Sequence, residues 1–271
     1  MIQDLLQLFL AVVAVFAVGL ASTLTKTLDR NGLVVGMGVG LAIIIFGGWR
    51  WFAVLLAFFI SAAFFTRYKF ELKRQMGVGE GREGTRGWQN VTANGAVASV
   101  FAIAYGLTYF TPFALGYLGA VGTSAADTLA TEVGLLNPYE PRLVTNLSHQ
   151  VPAGTSGAVS PYGEIASIIG SGLVSSIAWL LNLPSLNNVT GFLIVLVAGF
   201  MGSTFDSLLG ATVQALYRCP ICGSLTEKRV HCNTRTQHHT GNRFLDNNAV
   251  NLLATAFGGL SAGILHLILY L

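Results

Sequence analysis

Eight long apolar runs dominate this sequence and leave little chain for anything else. A helix that crosses the hydrocarbon core of a bilayer needs about 20 mostly apolar residues. The runs are continuous in Leu, Ala, Val and Ile, without a period of two, which favours helices over a transmembrane β-barrel. The sequence therefore predicts an all-α polytopic membrane protein with about eight transmembrane helices, in one domain over residues 1–271. The runs cover residues 5–23, 33–48, 51–65, 91–110, 113–133, 165–183, 189–209 and 250–271.

The composition excludes most other protein classes. Hydrophobic residues make up 53% of the chain and charged residues only 10%. A soluble protein carries about 25% charged residues, so this chain could not cover a water-exposed surface with polar groups. A soluble enzyme, a disordered chain and a secreted disulfide scaffold are therefore excluded. The first run lacks a basic leader, and we expect it to be a permanent helix rather than a cleaved signal peptide.

The positive charges predict an orientation in the membrane. All but Arg50 of the 15 lysines and arginines lie in the loops after helices one, three, five and seven. Because Lys and Arg concentrate in cytoplasmic loops, these four loops are predicted to be cytoplasmic and both termini outside, in the cell membrane if the source is prokaryotic. The formal net charge of +3 then needs no nucleic-acid partner.

Carboxylates inside two apolar runs are the strongest functional candidates. Asp127 lies about one and a half turns from the cytoplasmic end of its helix, and Asp206 lies in the seventh run. Ionisable groups within spans are costly and usually mark functional sites, and paired carboxylates favour Mg²⁺. Glu132 is a third candidate ligand. Small and polar residues also pack helices together, which is the commoner role of a single Gly, Ser or Thr.

Two predicted cytoplasmic loops carry groups that could bind phosphate. The basic, glycine-rich loop over residues 66–90 contains Lys73, Arg82 and Arg86, whose charges could neutralise a polyphosphate. The loop over residues 134–164 contains a Gly-Thr-Ser-Gly turn, which can form an anion-binding nest of backbone N–H groups. An ordinary turn explains that sequence equally well. The residues of the turn are Gly154, Thr155, Ser156 and Gly157.

The third candidate loop, residues 217–246, contains all three cysteines. Cys219 and Cys222 have the spacing of half a zinc knuckle, and Cys232 with His231 could complete a tetrahedral site. The alternative is a set of free cytosolic thiols, since a disulfide is not expected in a reducing compartment. A structural Zn²⁺ is therefore one of two interpretations.

Five ordered motifs resemble the family that contains transmembrane protein 19 and the phytyl-phosphate kinase of plant vitamin E synthesis. The resemblance extends over nearly the whole chain from about residue 30. The motifs are RGWQNVTANG at residues 86–95, SAADTLATEVG at 124–134, VPAGTSGAVS at 151–160, DSLLGA at 206–211 and NNAVN at 247–251.

The resemblance implies a membrane kinase. Its expected reaction transfers the terminal phosphate of a nucleoside triphosphate, CTP or ATP, to an isoprenoid monophosphate such as phytyl or geranylgeranyl phosphate, giving the diphosphate. Mg²⁺ is the expected cofactor, and the active site is expected to face the cytoplasm. The family's motif positions fall here on Asn94, Asp127, Thr128, Glu132, Gly154, Thr155, Ser156, Gly157, Asp206, Ser207 and Asn251.

Two other functions stay open at this point. A CTP-dependent lipid nucleotidyltransferase would use similar groups but release pyrophosphate. A transporter or ion carrier could use Asp127 and Asp206, although a transporter keeps its site near the midplane with polar groups leading to both faces. The outer half of this chain is almost bare of charge.

Overall fold

The computed structural model describes residues 2–75, 84–184, 186 and 188–270. Within these ranges eight long helices coincide with the eight predicted runs, and a short helix, α4, follows the third. The long helices are α1 (Ile2–Leu24), α2 (Arg30–Phe46), α3 (Trp49–Arg67), α5 (Trp88–Thr108), α6 (Thr111–Gly134), α7 (Pro161–Leu180), α8 (Val189–Thr212) and α9 (Asn247–Tyr270), and α4 is Phe70–Gln75.

The protein is a mostly helical membrane protein. Among the described residues, α3, α5, α7, α8 and α9 are long and apolar enough to cross a membrane, while α2 and the part of α1 from Phe9 to Leu24 are shorter apolar helices. The eight-span count and the orientation stay predictions. α6 differs from the other long helices because the bundle encloses it: every residue from 114 to 126 is buried. A helix that meets other helices on all sides needs little lipid-facing apolar surface, and α6 can carry polar groups.

Small residues hold the centre of the bundle together. α6 packs against α3, α5, α7, α8 and α9. A Cβ added to Gly119 of α6 would lie 2.5 Å from the carbonyl oxygen of Gly258 in α9, and one added to Gly202 of α8 would lie 2.1 Å from Thr123 Oγ1 of α6. Close backbone approach through Gly, Ser and Thr is the usual means of helix association in a bilayer, where apolar burial drives little.

Short antiparallel strands occupy two of the predicted cytoplasmic loops, between α6 and α7 and between α8 and α9. The first sheet has the order β2-β1-β3 and the second the order β5-β4-β8, while β6 and β7 form a separate hairpin. The all-α prediction is correct for the apolar runs and omits these strands. Their ranges are β1 (Arg142–Leu143), β2 (Asn146–Gln150), β3 (Ala158–Val159), β4 (Leu216–Arg218), β5 (Leu225–Thr226), β6 (Val230–His231), β7 (Thr234–Arg235) and β8 (Gln237–Thr240).

The four basic loops lie at one end of the bundle, where contacts join them in two pairs and tie α4 to α6. The loop after α1 pairs with the segment before α5 through the bridge between Leu28 and Arg86. The loop after α6 meets the loop after α8 where Ser156 donates a hydrogen bond to Glu227. α4 is tied to the end of α6 by an ion pair between Lys73 and Glu132. We call this the basic end.

Candidate functional site

Two carboxylates in the helices face each other near the basic end. Asp206 of α8 interacts electrostatically with Asp127 of α6. Asn251 of α9 donates its side-chain N–H groups to Asp206 Oδ2 at 3.0 Å and to the carbonyl oxygen of Asn247 at 2.9 Å. Three helices therefore meet at one carboxylate, and the sequence predicted all three of these side chains as site residues.

The packing of α6 and α8 explains why the two carboxylates meet. The two helices are in close contact where Gly202 meets Thr123, because a Cβ added to Gly202 would lie 2.1 Å from the Thr123 hydroxyl oxygen. Asp206 and Asp127 lie four residues further along their helices, on the same faces as the contact pair. The glycine contact one turn away thus sets the separation of the two aspartates.

A third carboxylate, Glu227, comes from the loop between β5 and β6. It also interacts electrostatically with Asp206. Burial raises the pKa of Glu227, while Ser156, Gln214 and the charge of Lys228 act in the opposite direction. Sequence analysis missed Glu227, whose position depends on a contact between two loops 71 residues apart. The feature of the sequence that could have identified Glu227 is its position between the Cys219–Cys222 pair and the His231–Cys232 pair.

The Gly-Thr-Ser-Gly loop lies against α8, one turn beyond Asp206. Gly157 has a φ of +72°, and a Cβ added there would lie 2.4 Å from the backbone nitrogen of Ala211. Thr155 turns back into its own loop, since its backbone N–H and its hydroxyl both donate to the carbonyl oxygen of Pro152. Ser156 is the residue of the turn whose side chain reaches the carboxylate cluster. Gly154 is exposed.

The structure pairs two of the predicted site residues with each other. Lys73 Nζ lies 2.6 Å from Glu132 Oε2 and donates to the carbonyl oxygen of Phe65 at 2.8 Å. Lys73 is 1% exposed and Glu132 is 8% exposed. This ion pair is thus a buried link between α4 and α6, with both charged groups already satisfied.

The remaining predicted residues lie around this centre. Thr128 and Ser207 are half-buried beside Asp127 and Asp206. Ser124 of α6 donates to the carbonyl oxygen of Asn94 in α5 at 3.1 Å, which joins α5 to the carboxylate-bearing helix. Arg86 is mostly buried, and its guanidinium donates to Thr66 Oγ1 at 3.2 Å. Arg82 lies outside the described residues.

An apolar cavity begins at Arg86 and Asn94 and extends along the helices away from the basic end. α1, α2, α3 and α5 form its walls. From Val15 to Ser22 of α1 it extends about 10 Å along the helix axis. The polar groups at its end near the basic loops are Ser22, Arg86, Asn90 and Asn94.

The donor atoms fit two different metals at two places. Asp127, Asp206 and Glu227 offer carboxylate oxygens that repel one another, and hard cations such as Mg²⁺ bind such oxygens. In the loop after α8, the ligand atoms of Cys219, Cys222, His231 and Cys232 all lie within 4.8 Å of one another. This thiol cluster has the soft donors that zinc prefers.

Comparison with known proteins gives the family. The sequence profile of a family described as integral membrane protein DUF92 matches residues 13–259, which is most of the chain. The chain belongs to the DUF92 family. Relatives from plants support the resemblance that the five motifs indicated, which is therefore confirmed. No solved structure matches the chain significantly.

Three relatives of this DUF92 protein illustrate the range of the family. An uncharacterized membrane protein of Methanocaldococcus jannaschii is 27% identical over 95% of this chain and 94% of its own length. Protein PGR of Arabidopsis thaliana is 29% identical over 93% of this chain and 94% of its own length. The chloroplastic Protein VTE6 of the same plant is 27% identical over 60% of this chain and 49% of its own.

Proposed function

We propose that this DUF92 protein is a membrane kinase that transfers the terminal phosphate of CTP or ATP to an isoprenoid monophosphate, giving the diphosphate. The observation that carries the proposal is the meeting of Asp127, Asp206 and Glu227 beside the loop at Gly157, at the end of the bundle where an apolar cavity begins. The motif resemblance to the family of the phytyl-phosphate kinase supports the isoprenoid acceptor. The basic end would face the cytoplasm, where nucleotides are available.

The chemistry needs mainly positioning and charge neutralisation. Phosphoryl transfer has a loose transition state, and a monophosphate acceptor is already nucleophilic, so that a dedicated general base is not required. Asp127, Asp206 and Glu227 would hold Mg²⁺, which supplies positive charge to the phosphates when bound. Ser156 would orient Glu227, and Arg86 would neutralise the acceptor phosphate at the mouth of the cavity. We assign Lys73 and Glu132 to structure rather than catalysis, because each satisfies the other.

The apolar cavity would take the isoprenoid chain. Its walls are almost entirely apolar, and the polar groups gather at the end where the acceptor phosphate would lie. Because a prenyl chain enters such a cavity from equally apolar lipid, the cavity would select the chain by shape and position rather than by hydrophobic transfer. A transporter would need polar groups along such a path, whereas this cavity has them at one end only.

The cavity assignment predicts a difference between two glycines of α2. Gly36 lines the cavity, whereas Gly38 is exposed and a Cβ added there would meet nothing within 4 Å. Gly36→Leu is expected to raise the KM for geranylgeranyl monophosphate about tenfold, because its side chain occupies part of the cavity and overpacking costs about 1–3 kcal/mol. The KM for the shorter geranyl monophosphate should rise as well, because Gly36 lies beside Leu28 and Val91, near the end of the cavity where the phosphate would lie. Equal effects of Gly36→Leu and Gly38→Leu on both acceptors would contradict the assignment.

The direct test uses the purified protein in detergent or lipid nanodiscs. We expect Mg²⁺, γ-labelled CTP or ATP and phytyl, geranylgeranyl or farnesyl monophosphate to give a labelled diphosphate, with CDP or ADP as co-product. Release of pyrophosphate instead would identify the lipid nucleotidyltransferase. If neither nucleotide is consumed with any isoprenoid acceptor, the kinase proposal is wrong. Ion flux into sealed vesicles that depends on Asp127 and Asp206 would then favour the carrier.

A further inference from the structure

In the thiol cluster of the loop after α8, a histidine nitrogen lies at metal-site separations from two of the thiols. His231 Nδ1 lies 3.5 Å from Cys222 Sγ and 3.4 Å from Cys232 Sγ. In a tetrahedral zinc site, bond lengths of ~2.3 Å to sulfur and ~2.0–2.1 Å to nitrogen put a sulfur and a nitrogen ~3.5 Å apart. The spacing of these three side chains therefore already matches that of a bound site.

Two tight turns bring the ligands together. In the first, the Gly223 N–H donates to the Cys219 carbonyl oxygen at 2.9 Å and the Cys219 N–H donates to the Ser224 carbonyl oxygen at 3.0 Å. Gly223 has a φ of +73°, which L side chains rarely adopt. In the second turn, Cys232 and Asn233 have φ values of +48° and +57° at the tip of the β6–β7 hairpin. A strained backbone of this kind persists where other interactions stabilise it.

The loop has little apolar core to stabilise these turns. Most side chains from residue 220 to 235 are exposed, including Ile221, Leu225 and Val230. A small segment that buries so little apolar surface usually needs a metal or disulfides to keep one structure. All four ligand positions are filled by protein side chains, which is typical of a structural zinc site and leaves no open position for catalysis.

The same loop carries Glu227 to the carboxylate cluster. Glu227 lies five residues after Cys222 and four before His231, so metal ligands bracket it on both sides. Its side chain accepts a hydrogen bond from Ser156 and interacts with Asp206. An ion bound to both turns would restrict the segment between them and hold Glu227 in that place.

We propose that Cys219, Cys222, His231 and Cys232 bind one Zn²⁺, and that the ion positions Glu227 against Ser156 beside Asp206. The zinc is structural and holds a residue of the proposed phosphotransfer site in place from outside the bundle. Only the effect on activity rests on the proposed function; the metal site itself does not.

Metal content tests the site without any activity measurement. The purified full chain should contain one zinc per molecule, and cobalt exchanged into the site should give the intense absorption bands of a tetrahedral thiolate complex. Cys222→Ser and His231→Asn should each lose most of the zinc. His239→Asn changes an exposed histidine of the same loop outside the cluster and should retain it. A wild-type protein that binds neither metal, or equal loss in His231→Asn and His239→Asn, would overturn the proposal.

Two further measurements test the positioning of Glu227. Removal of zinc with a chelator should speed tryptic cleavage after Lys228 and Arg229, while cleavage after Arg142, in the other exposed loop, stays constant as an internal control. If kinase activity is found, Glu227→Gln and zinc removal should lower it by similar factors, and zinc removal should have no further effect in Glu227→Gln. If zinc removal leaves cleavage after Lys228 and Arg229 unchanged, the positioning role is refuted. It is also refuted if the activity losses from zinc removal and from Glu227→Gln multiply in combination. Neither result would contradict the metal site itself.

Discussion

Asp206→Asn is expected to lower phosphate transfer about 1000-fold, while the thermal stability of the protein stays the same or rises. The carboxylate of Asp206 is surrounded by the like charges of Asp127 and Glu227, so its removal relieves repulsion in the folded state. The amide keeps the size of the side chain and can still pair with Asn251. The loss of activity would come from a lost metal ligand, because an amide oxygen carries no charge to hold Mg²⁺. Asp127→Asn should behave in the same way.

The matched control is Asp29→Asn at the same end of the bundle. Asp29 caps α2, since its Oδ1 accepts a hydrogen bond from the Gly32 N–H at 2.6 Å, and Asn is an equally good capping residue. This variant should keep its activity within a few-fold, as measured by single-turnover transfer. Loss of stability in Asp206→Asn in parallel with activity would indicate a structural carboxylate. Full activity in both Asp127→Asn and Asp206→Asn would exclude these residues as metal ligands.

Lys73→Met is expected to lower the free energy of unfolding by about 3–5 kcal/mol, because it leaves the buried carboxylate of Glu132 without its counter-charge. Unfolding in mixed detergent micelles measures this change. The exposed neighbour Arg74 is the control. It forms a solvated pair with Glu71 at 3.4 Å, so Arg74→Met should change the free energy of unfolding by less than about 1 kcal/mol.

The double variant Lys73→Met with Glu132→Leu separates structure from catalysis. Replacing both charges by apolar groups removes the unpaired charge, so we expect most of the lost stability to return. Activity should return with it if the pair only joins α4 to α6. An inactive but stable double variant would show instead that Glu132 or Lys73 takes part in the reaction, as the sequence predicted.

The long helices were predictable, but their ends were only partly so. The apolar runs locate the part of each helix that lies in hydrocarbon, whereas the helices continue into polar residues. α2 begins at Arg30, after Asp29 accepts a hydrogen bond from the Gly32 N–H at 2.6 Å, while the apolar run begins at residue 33. The short strands carry no apolar period, so the hydropathy pattern does not predict them.

In the candidate site, too, the helical residues were predictable from the sequence and the loop contacts were not. Asp127, Asp206 and Asn251 lie on helices, where a four-residue period indicates which residues share a face. The pairing of Lys73 with Glu132 joins residues 59 positions apart, and helix periodicity does not predict such a contact. Glu227 was missed for the same reason. Sequence reasoning therefore predicted which residues share a helix face, but it did not predict the long-range contacts of Lys73 and Glu227.

The walls of the apolar cavity and the three carboxylates come from different parts of the chain. α1, α2, α3 and α5 enclose the cavity, whereas α6, α8 and the loop after α8 carry Asp127, Asp206 and Glu227. In the proposed kinase, substitutions in α1, α2 and α3 would therefore reshape the space for the acceptor and leave the three carboxylates unchanged. Acceptor choice could then change through one segment of the chain while the other segment keeps the proposed metal ligands. The first three helices are where inherited differences in acceptor choice among relatives would accumulate.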